Sequence, residues 1–151
     1  MKSILASISQ PKEIQNLNLK ELTQLAVECR QRIIEVTSQR GGHLSSSLGT
    51  VEITVALLKN FDFSLDRIVW DVGHQAYPYK ILTDRNENFA SLGKAGGIKK
   101  FLSRDESSYD HFGAGHASTS ISSALGIAIG RDLQQKKHHV IAVIGDGAMT
   151  G

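Results

Sequence analysis

The run VIGDGAMTG at 143–151 sets an acid between two glycines, directly after the apolar stretch VIAVI at 140–144. Glycine lets a chain turn sharply and lets backbone N–H groups approach an anion with no side chain in the way. A cluster of phosphates also needs a cation, and Asp146 is the natural oxygen ligand for one. Mg2+ suits such a turn, because it binds through one or two carboxylates together with phosphate oxygens. Zinc is a poorer fit, since no cysteine or histidine pair with ligand spacing lies nearby. The turn is not a P-loop, because no Gly-Lys-Ser/Thr follows it. Gly145, Gly147 and Gly151 also lack the spacing of the dinucleotide fingerprint. Taken alone, a Gly-Asp-Gly after a strand fits a structural turn as well as it fits a ligand site.

Histidines tilt that balance. Three of the six stand in glycine-bounded loops: His43 after Gly41-Gly42, His74 after Val72-Gly73 and His116 after Ala114-Gly115. An imidazole in such a loop can donate to phosphate or move a proton near neutral pH. Singly, each is more often a surface or turn histidine. Together, with two of them at strand ends or helix starts, they favour one convergent polar site. His111 has no such setting. His138 and His139, beside Lys136 and Lys137, read as a solvated helix-to-strand turn.

In open parallel α/β sheets, ligands bind beyond the carboxyl ends of the strands. RIVWDVG at 67–73 has the β-branched run and glycine stop of a buried strand, and VIAVI reads as a second. A helix opens at Asn18, where Glu21 completes a capping-box pattern. Leu22, Leu25, Cys29, Ile33 and Val36 continue it at helical spacing to about Gln39. GGHLSSSLG at 41–49 reads as a loop, and a second helix is expected over about 50–59, with Val51, Val55 and Leu58 on one side. Pro78 either opens or interrupts a helix. Residues 84–115 contain no convincing element and are too long for a plain connection, which leaves a functional loop or a partly ordered excursion. A last helix starts near Ser118, with Ile121, Leu125, Ile129 and Leu133 on one stripe. Gly126 and Gly130 form a small-residue face that reads as close packing against a sheet. Residues 1–17 show no period and read as an arm or linker before a domain at 18–151. Strand, helix, strand with apolar strands predicts an α/β fold, a parallel sheet with flanking helices.

The totals exclude more than they assign. A formal charge of +2, with its basic residues scattered, argues against a nucleic-acid partner, and no apolar run approaches the length that crosses a bilayer. The start MKSILASISQ lacks the apolar core and cleavage site of a secretory signal. Cys29 is the only cysteine, so an internal disulfide cannot form and a reducing compartment is the default. Its place on a helical apolar stripe makes it a buried packing residue.

Four blocks of this sequence together resemble one family: GGHLSSSLGTVE at 41–52, DRIVWDVGHQAYPYKILT at 66–83, YDHFGAGHASTSIS at 109–122 and VIGDGAMTG at 143–151. The chain is similar, from about residue 19 to its last residue, to the 1-deoxy-D-xylulose-5-phosphate synthases, thiamine-diphosphate-dependent relatives of transketolase. The resemblance implies an enzyme that condenses pyruvate with glyceraldehyde 3-phosphate with loss of CO2, toward isoprenoid, thiamine and pyridoxal phosphate precursors. Thiamine diphosphate would act as the electron sink, while the protein positions it and moves protons. On the same ground Asp146 matches a Mg2+ ligand at the cofactor's diphosphate, and Gly147 and Ala148 match backbone positions along that diphosphate. His74, Gly115, His116 and Ala117 match cofactor contacts, and His43 matches a proton-transfer histidine facing the substrates. The family's active form is a homodimer, and the implied location is a bacterial cytoplasm, with a plastid as the alternative.

The resemblance also carries a departure. The family's diphosphate motif finishes with an asparagine well downstream of Gly-Asp-Gly, and the domain with the glutamate that activates the aminopyrimidine ring comes later still. The expectation is an incomplete diphosphate-side domain, the opening part of such an enzyme, inactive by itself and weakly stable. Two rival readings stay in view. A transketolase-like fragment is disfavoured by Leu44 and by His116-Ala117, where transketolases carry GHP and GPLGQG patterns. A non-catalytic phosphate-binding module is the other.

Overall fold

The computed structural model describes residues 3–151. These fall into two compact units: one holds the residues up to Asn60 together with His74–Lys100, the other Phe61–Gly73 together with Phe101–Gly151.

The first unit is built on helix α1 (Leu19–Arg40). The Asn18 side chain accepts the Glu21 N–H at 3.1 Å, and the Glu21 carboxylate accepts the Asn18 N–H at 2.8 Å, so the expected capping box is formed. Leu25, Cys29, Ile33 and Val36 are buried, and each large aliphatic side chain taken wholly from water contributes about 1.5–3 kcal/mol. Burial pushes the Cys29 thiol up to about 12, so it stays protonated and inert at neutral pH. At the far end the Gly41 N–H returns to Thr37 O at 2.8 Å. Where the sequence reads as a continuous loop at 41–49, a short helix α2 (Leu44–Leu48) forms instead. Its Leu48 carbonyl accepts from Arg30 at 3.1 Å, a tie to α1 that no local pattern announces.

Helix α3 (Val51–Asn60) buries Val51, Val55 and Leu58 as expected. It packs on a 3-10 helix, Pro11–Asn16, that lies inside the stretch read as an arm. Residues 3–17 are folded because partners far along the chain hold them. The Glu28 carboxylate accepts from Ser3 Oγ, Ile4 N and Leu5 N, and Lys59 Nζ donates to Gln15 O at 2.6 Å and Leu17 O at 2.8 Å. Pro78 opens helix α4 (Tyr77–Lys80) at its second position, where its missing N–H costs nothing, and a π-helical turn, Ile81–Arg85, continues it. Within 86–100 the chain is pinned by buried Phe89, Leu92 and Ile98 and by the Gly93 N–H to Ile98 O bond at 2.7 Å.

In the second unit β1 (Arg67–Trp70) and β2 (Val140–Val143) pair in parallel, Arg67 opposite Val140 and Trp70 opposite Val143. Helix α5 (Ser120–Leu133) connects toward β2 and packs on both strands. Two expectations are corrected here. Strand β2 is half-buried along its whole length, not buried, because among the described residues the sheet has two strands. The stripe of α5 has the predicted period, and its residues are exposed: Ile121, Leu125, Ile129 and Leu133 by 52%, 59%, 51% and 81%. Nothing lies within 4 Å of a Cβ placed on Gly126 or Gly130, so the expected close packing of those glycines on the sheet is absent among the described residues. A two-stranded sheet engages one face of a helix, and α5 gives it Ser120 and the smaller or half-buried side chains around Ala124 and Ile127.

His111, to which the sequence gives no role, has one in this unit. Arg67 and Asp71 donate their N–H groups to His139 O and Val143 O, both at 2.8 Å, so the Ile68 N–H points to the other edge of β1. There His111 Nδ1 accepts it at 3.0 Å. Burial, and then the nearby Arg67 charge, lower the His111 pKa from 6.5 to about 4, which keeps the ring a neutral acceptor. With the folded value depressed, the unfolded chain binds more protons between those two values. Stability is therefore complete above about pH 6.5 and falls as pH drops toward 4, with a slope of up to about 1.4 kcal/mol per pH unit. Urea melts of the native protein across this window should show the slope, and His111→Gln should flatten it. An unchanged slope in the variant contradicts the assignment.

Candidate functional site

Strand β1 leaves its last residue through Asp71-Val72-Gly73, a turn with backbone strain. Val72 has φ 57°, a left-handed value that a β-branched residue rarely adopts, and Gly73 follows at 82°. A Cβ on Gly73 would lie 2.6 Å from the Ala114 Cβ, so only glycine lets the 113–115 segment pass this closely. The turn aims the Asp71 carboxylate at the start of α5. Its Oδ1 accepts the Ser118 N–H at 2.9 Å and its Oδ2 the Ser120 N–H at 3.0 Å. Burial works to raise the Asp71 pKa, but hydrogen bonds from Ser120, Ser118 and Thr119 outweigh it and hold the carboxyl below its usual 3.8.

Ser118 extends the chain of contacts. Its backbone is also left-handed, with φ 65°, and its Oγ donates to Ala148 O at 2.7 Å. Ala148 belongs to a 3-10 helix, Asp146–Thr150, that starts beyond the carboxyl end of β2, and its own N–H donates to Gly145 O at 3.0 Å. One buried acid thus fixes the turn that carries Gly115, His116 and Ala117, and one hydroxyl joins that turn to the one that carries Asp146, Gly147 and Ala148. Gly115, His116, Ala117, Asp146 and Gly147 are exposed, and Cβ positions built on Gly115, Gly145 and Gly147 meet nothing within 4 Å. The approach to both turns is open.

The donor set answers what could bind there. Among the described residues no group of three or more His, Cys, Asp or Glu side chains could hold a metal ion. Asp146 by itself is one exposed carboxylate flanked by side-chain-free backbone. That fits a hard cation drawing its remaining oxygens from phosphate and water, and it does not fit a closed protein cage.

The other two histidines belong to the first unit, where the structure brings them together. His43 and His74 meet edge to face with ring centroids 5.6 Å apart. The His74-Gln75 backbone is held from α2 and the residue after it: Ser47 Oγ donates to His74 O at 3.1 Å, and Thr50 Oγ1 to Gln75 O at 2.6 Å. These two hydroxyls give Ser47 and Thr50 a role within a block of small residues that the sequence reads as a loop. His74 Nδ1 is buried with no hydrogen-bond partner among the described residues, the condition of a polar atom that a ligand could satisfy. Burial, then the charges of His74 and Lys100, lower the His43 pKa, so His43 is neutral at neutral pH and can take up or release a proton.

Asp71, Ser118, Ser47 and Thr50 are the residues that reading by local motif passes over. Asp71 carried a signal in its position, since it follows a strand in the same way that the GDG acid does. Its partners lie 47 and 49 residues away, and no spacing rule reaches them.

Comparison with known proteins gives the same direction. A family model described as 1-deoxy-D-xylulose-5-phosphate synthase matches residues 5–151. The 1-deoxy-D-xylulose-5-phosphate synthase of Clostridium botulinum (strain Eklund 17B / Type B) is 54% identical over all 151 residues, which cover 24% of its own length. That of Thermosynechococcus vestitus is 52% identical over 97% of this chain and 23% of its own. A probable 1-deoxy-D-xylulose-5-phosphate synthase 2, chloroplastic, of Oryza sativa subsp. japonica is 56% identical over 97% of this chain and 21% of its own. The chain thus spans about a quarter of the length of the curated relatives it matches. With the family model covering nearly every residue, the chain belongs to the 1-deoxy-D-xylulose-5-phosphate synthase family.

Proposed function

We propose that this chain supplies the diphosphate-side elements of an enzyme that condenses pyruvate with glyceraldehyde 3-phosphate, releasing CO2, with thiamine diphosphate and Mg2+ as cofactors. The observation that best supports the reading is the Ser118 Oγ to Ala148 O bond, which joins the turn bearing His116 to the turn opened by Asp146. When bound, thiamine diphosphate supplies the electron sink for making and breaking the carbon–carbon bonds.

The chain's own residues would do four things. Asp146 takes one coordination position of Mg2+ at the diphosphate, as its exposed single carboxylate allows. Gly147 and Ala148 lie with their backbone along the diphosphate, Gly147 leaving room for it and the engaged Ala148 N–H and carbonyl keeping the turn in shape. His74, Gly115, His116 and Ala117 contact the cofactor, and the unpartnered His74 Nδ1 suits a polar ligand atom. His43, neutral and paired with His74, moves a proton to or from substrate oxygen. Among the described residues no helix is long and apolar enough to cross a membrane. Bacterial and chloroplastic relatives make the cytoplasm or a plastid the place to look, and the working form is a homodimer.

The test joins residues 1–151 to the remaining portion of the Clostridium botulinum relative and measures 1-deoxyxylulose 5-phosphate formed from pyruvate and glyceraldehyde 3-phosphate. Product is expected only with thiamine diphosphate and Mg2+ present. A polypeptide of residues 1–151 alone should form none under the same conditions. Turnover of ketose donors in place of pyruvate would move the protein toward transketolase chemistry. Steady product from residues 1–151 alone would contradict the division of labour set out above.

A further inference from the structure

We infer that Tyr77 is a positioning residue that fixes the orientation and the tautomer of the His43 imidazole. Tyr77 is wholly buried, yet its hydroxyl end reaches the His43 loop. The His43 backbone N–H donates to Tyr77 Oη at 3.4 Å, and the same oxygen lies 3.4 Å from His43 Nδ1. These are long contacts, and they come in a pair whose roles are coupled. An oxygen that accepts the backbone N–H turns its own proton outward, and the ring nitrogen it faces is Nδ1. The hydroxyl donates to Nδ1, so the neutral imidazole carries its proton on Nε2.

Three features hold the hydroxyl in that place. Pro78, at the second position of α4, sets the start of the helix that carries Tyr77. Phe89 packs against the Tyr77 ring at 71°, with centroids 5.6 Å apart, and blocks its rotation from behind. Gly42 gives way in front. A Cβ there would lie 2.7 Å from Tyr77 Oη, and its φ of 145° is a value that side-chain-bearing residues rarely adopt. The second glycine of GGH is therefore spent on letting a phenol reach the histidine that follows it. The burial that lowers the His43 pKa keeps the ring in the neutral state in which the tautomer matters.

The catalytic consequence rests on His43 being the proton-transfer residue; the tautomer itself does not. A ring locked with Nε2–H offers a proton from the nitrogen farther from the backbone, while Nδ1 stays occupied by the phenol. Long-range proton–nitrogen spectra of the 151-residue chain with 15N-labelled histidine, assigned with a His43→Gln variant, read the tautomer directly. The wild-type chain should show His43 as Nε2–H. Tyr77→Phe keeps the ring and removes only the hydroxyl. It should produce a mixture of tautomers and raise the His43 titration midpoint by on the order of 0.5 pH unit, since a donor that favoured the neutral form is gone. An Nδ1–H tautomer in the wild type overturns the inference without any variant, and so do unchanged tautomer and midpoint in a folded Tyr77→Phe. The underlying reading fails separately: full activity of His43→Gln in the joined protein would remove the proton-transfer role and leave the spectroscopic result standing.

Discussion

Asp71→Ala destabilises the second unit by about 2–4 kcal/mol and frees the turn that carries His116. The size follows from what is left behind. Asp71 is 1% exposed and accepts from Ser118 N and Ser120 N, so its removal strands a half-buried and a buried donor, a buried one costing about 1–3 kcal/mol. Loss of a helix-capping acid is included in that range. Denaturant melts give the total, and hydrogen exchange locates it, with the Ser118 and Ser120 amides exchanging much faster. Asp71→Asn keeps one acceptor and should lose about half as much. Because the folded Asp71 pKa is depressed, its contribution is present above the unfolded value of 3.8 and disappears as pH falls through the lower folded value. A variant as stable as the wild type, with unchanged exchange at both amides, would remove Asp71 from the account.

Asp146→Asn has the opposite signature. Asp146 is exposed, and its carboxylate has no hydrogen-bond partner among the described residues, so folding should be unchanged within about 0.5 kcal/mol. Activity of the joined protein should fall by on the order of 100-fold or more, at least what the loss of an outer-shell metal partner costs. Raised Mg2+ should restore part of it. On the proposed function, two aspartates at two strand ends would divide the work, Asp71 holding the turns and the exposed Asp146 meeting the cation. Equal activity in Asp146→Asn, or a large loss of stability, contradicts that division.

The sequence made local devices legible and left distant ones dark. Asn18 and Glu21 announce their capping box because both halves lie within one turn. The parallel strands announce themselves through β-branched runs, and Cys29 through its place on a stripe. The period of α5 is equally plain, yet period says only that a face is apolar, not what covers it. Ile121, Leu125, Ile129 and Leu133 keep that period and are exposed. Residues 3–17 carry no period at all and fold because Glu28 and Lys59 reach them. His111 reads as an ordinary histidine until the register of β1 shows which N–H it accepts. The candidate site has the same split. The glycine turns with Asp146 and the three loop histidines can be read from residue types, while Asp71, Ser118 and Tyr77, which hold them, act across contacts that only the fold brings about.

Calorimetric titration of thiamine diphosphate into the joined protein, with and without Mg2+, bears most directly on whether the Asp146 turn is a metal-diphosphate clamp. Binding that needs Mg2+ in the parent and is lost in Asp146→Asn, with both proteins equally folded, is the predicted result. Undiminished, Mg2+-dependent binding by Asp146→Asn would contradict it.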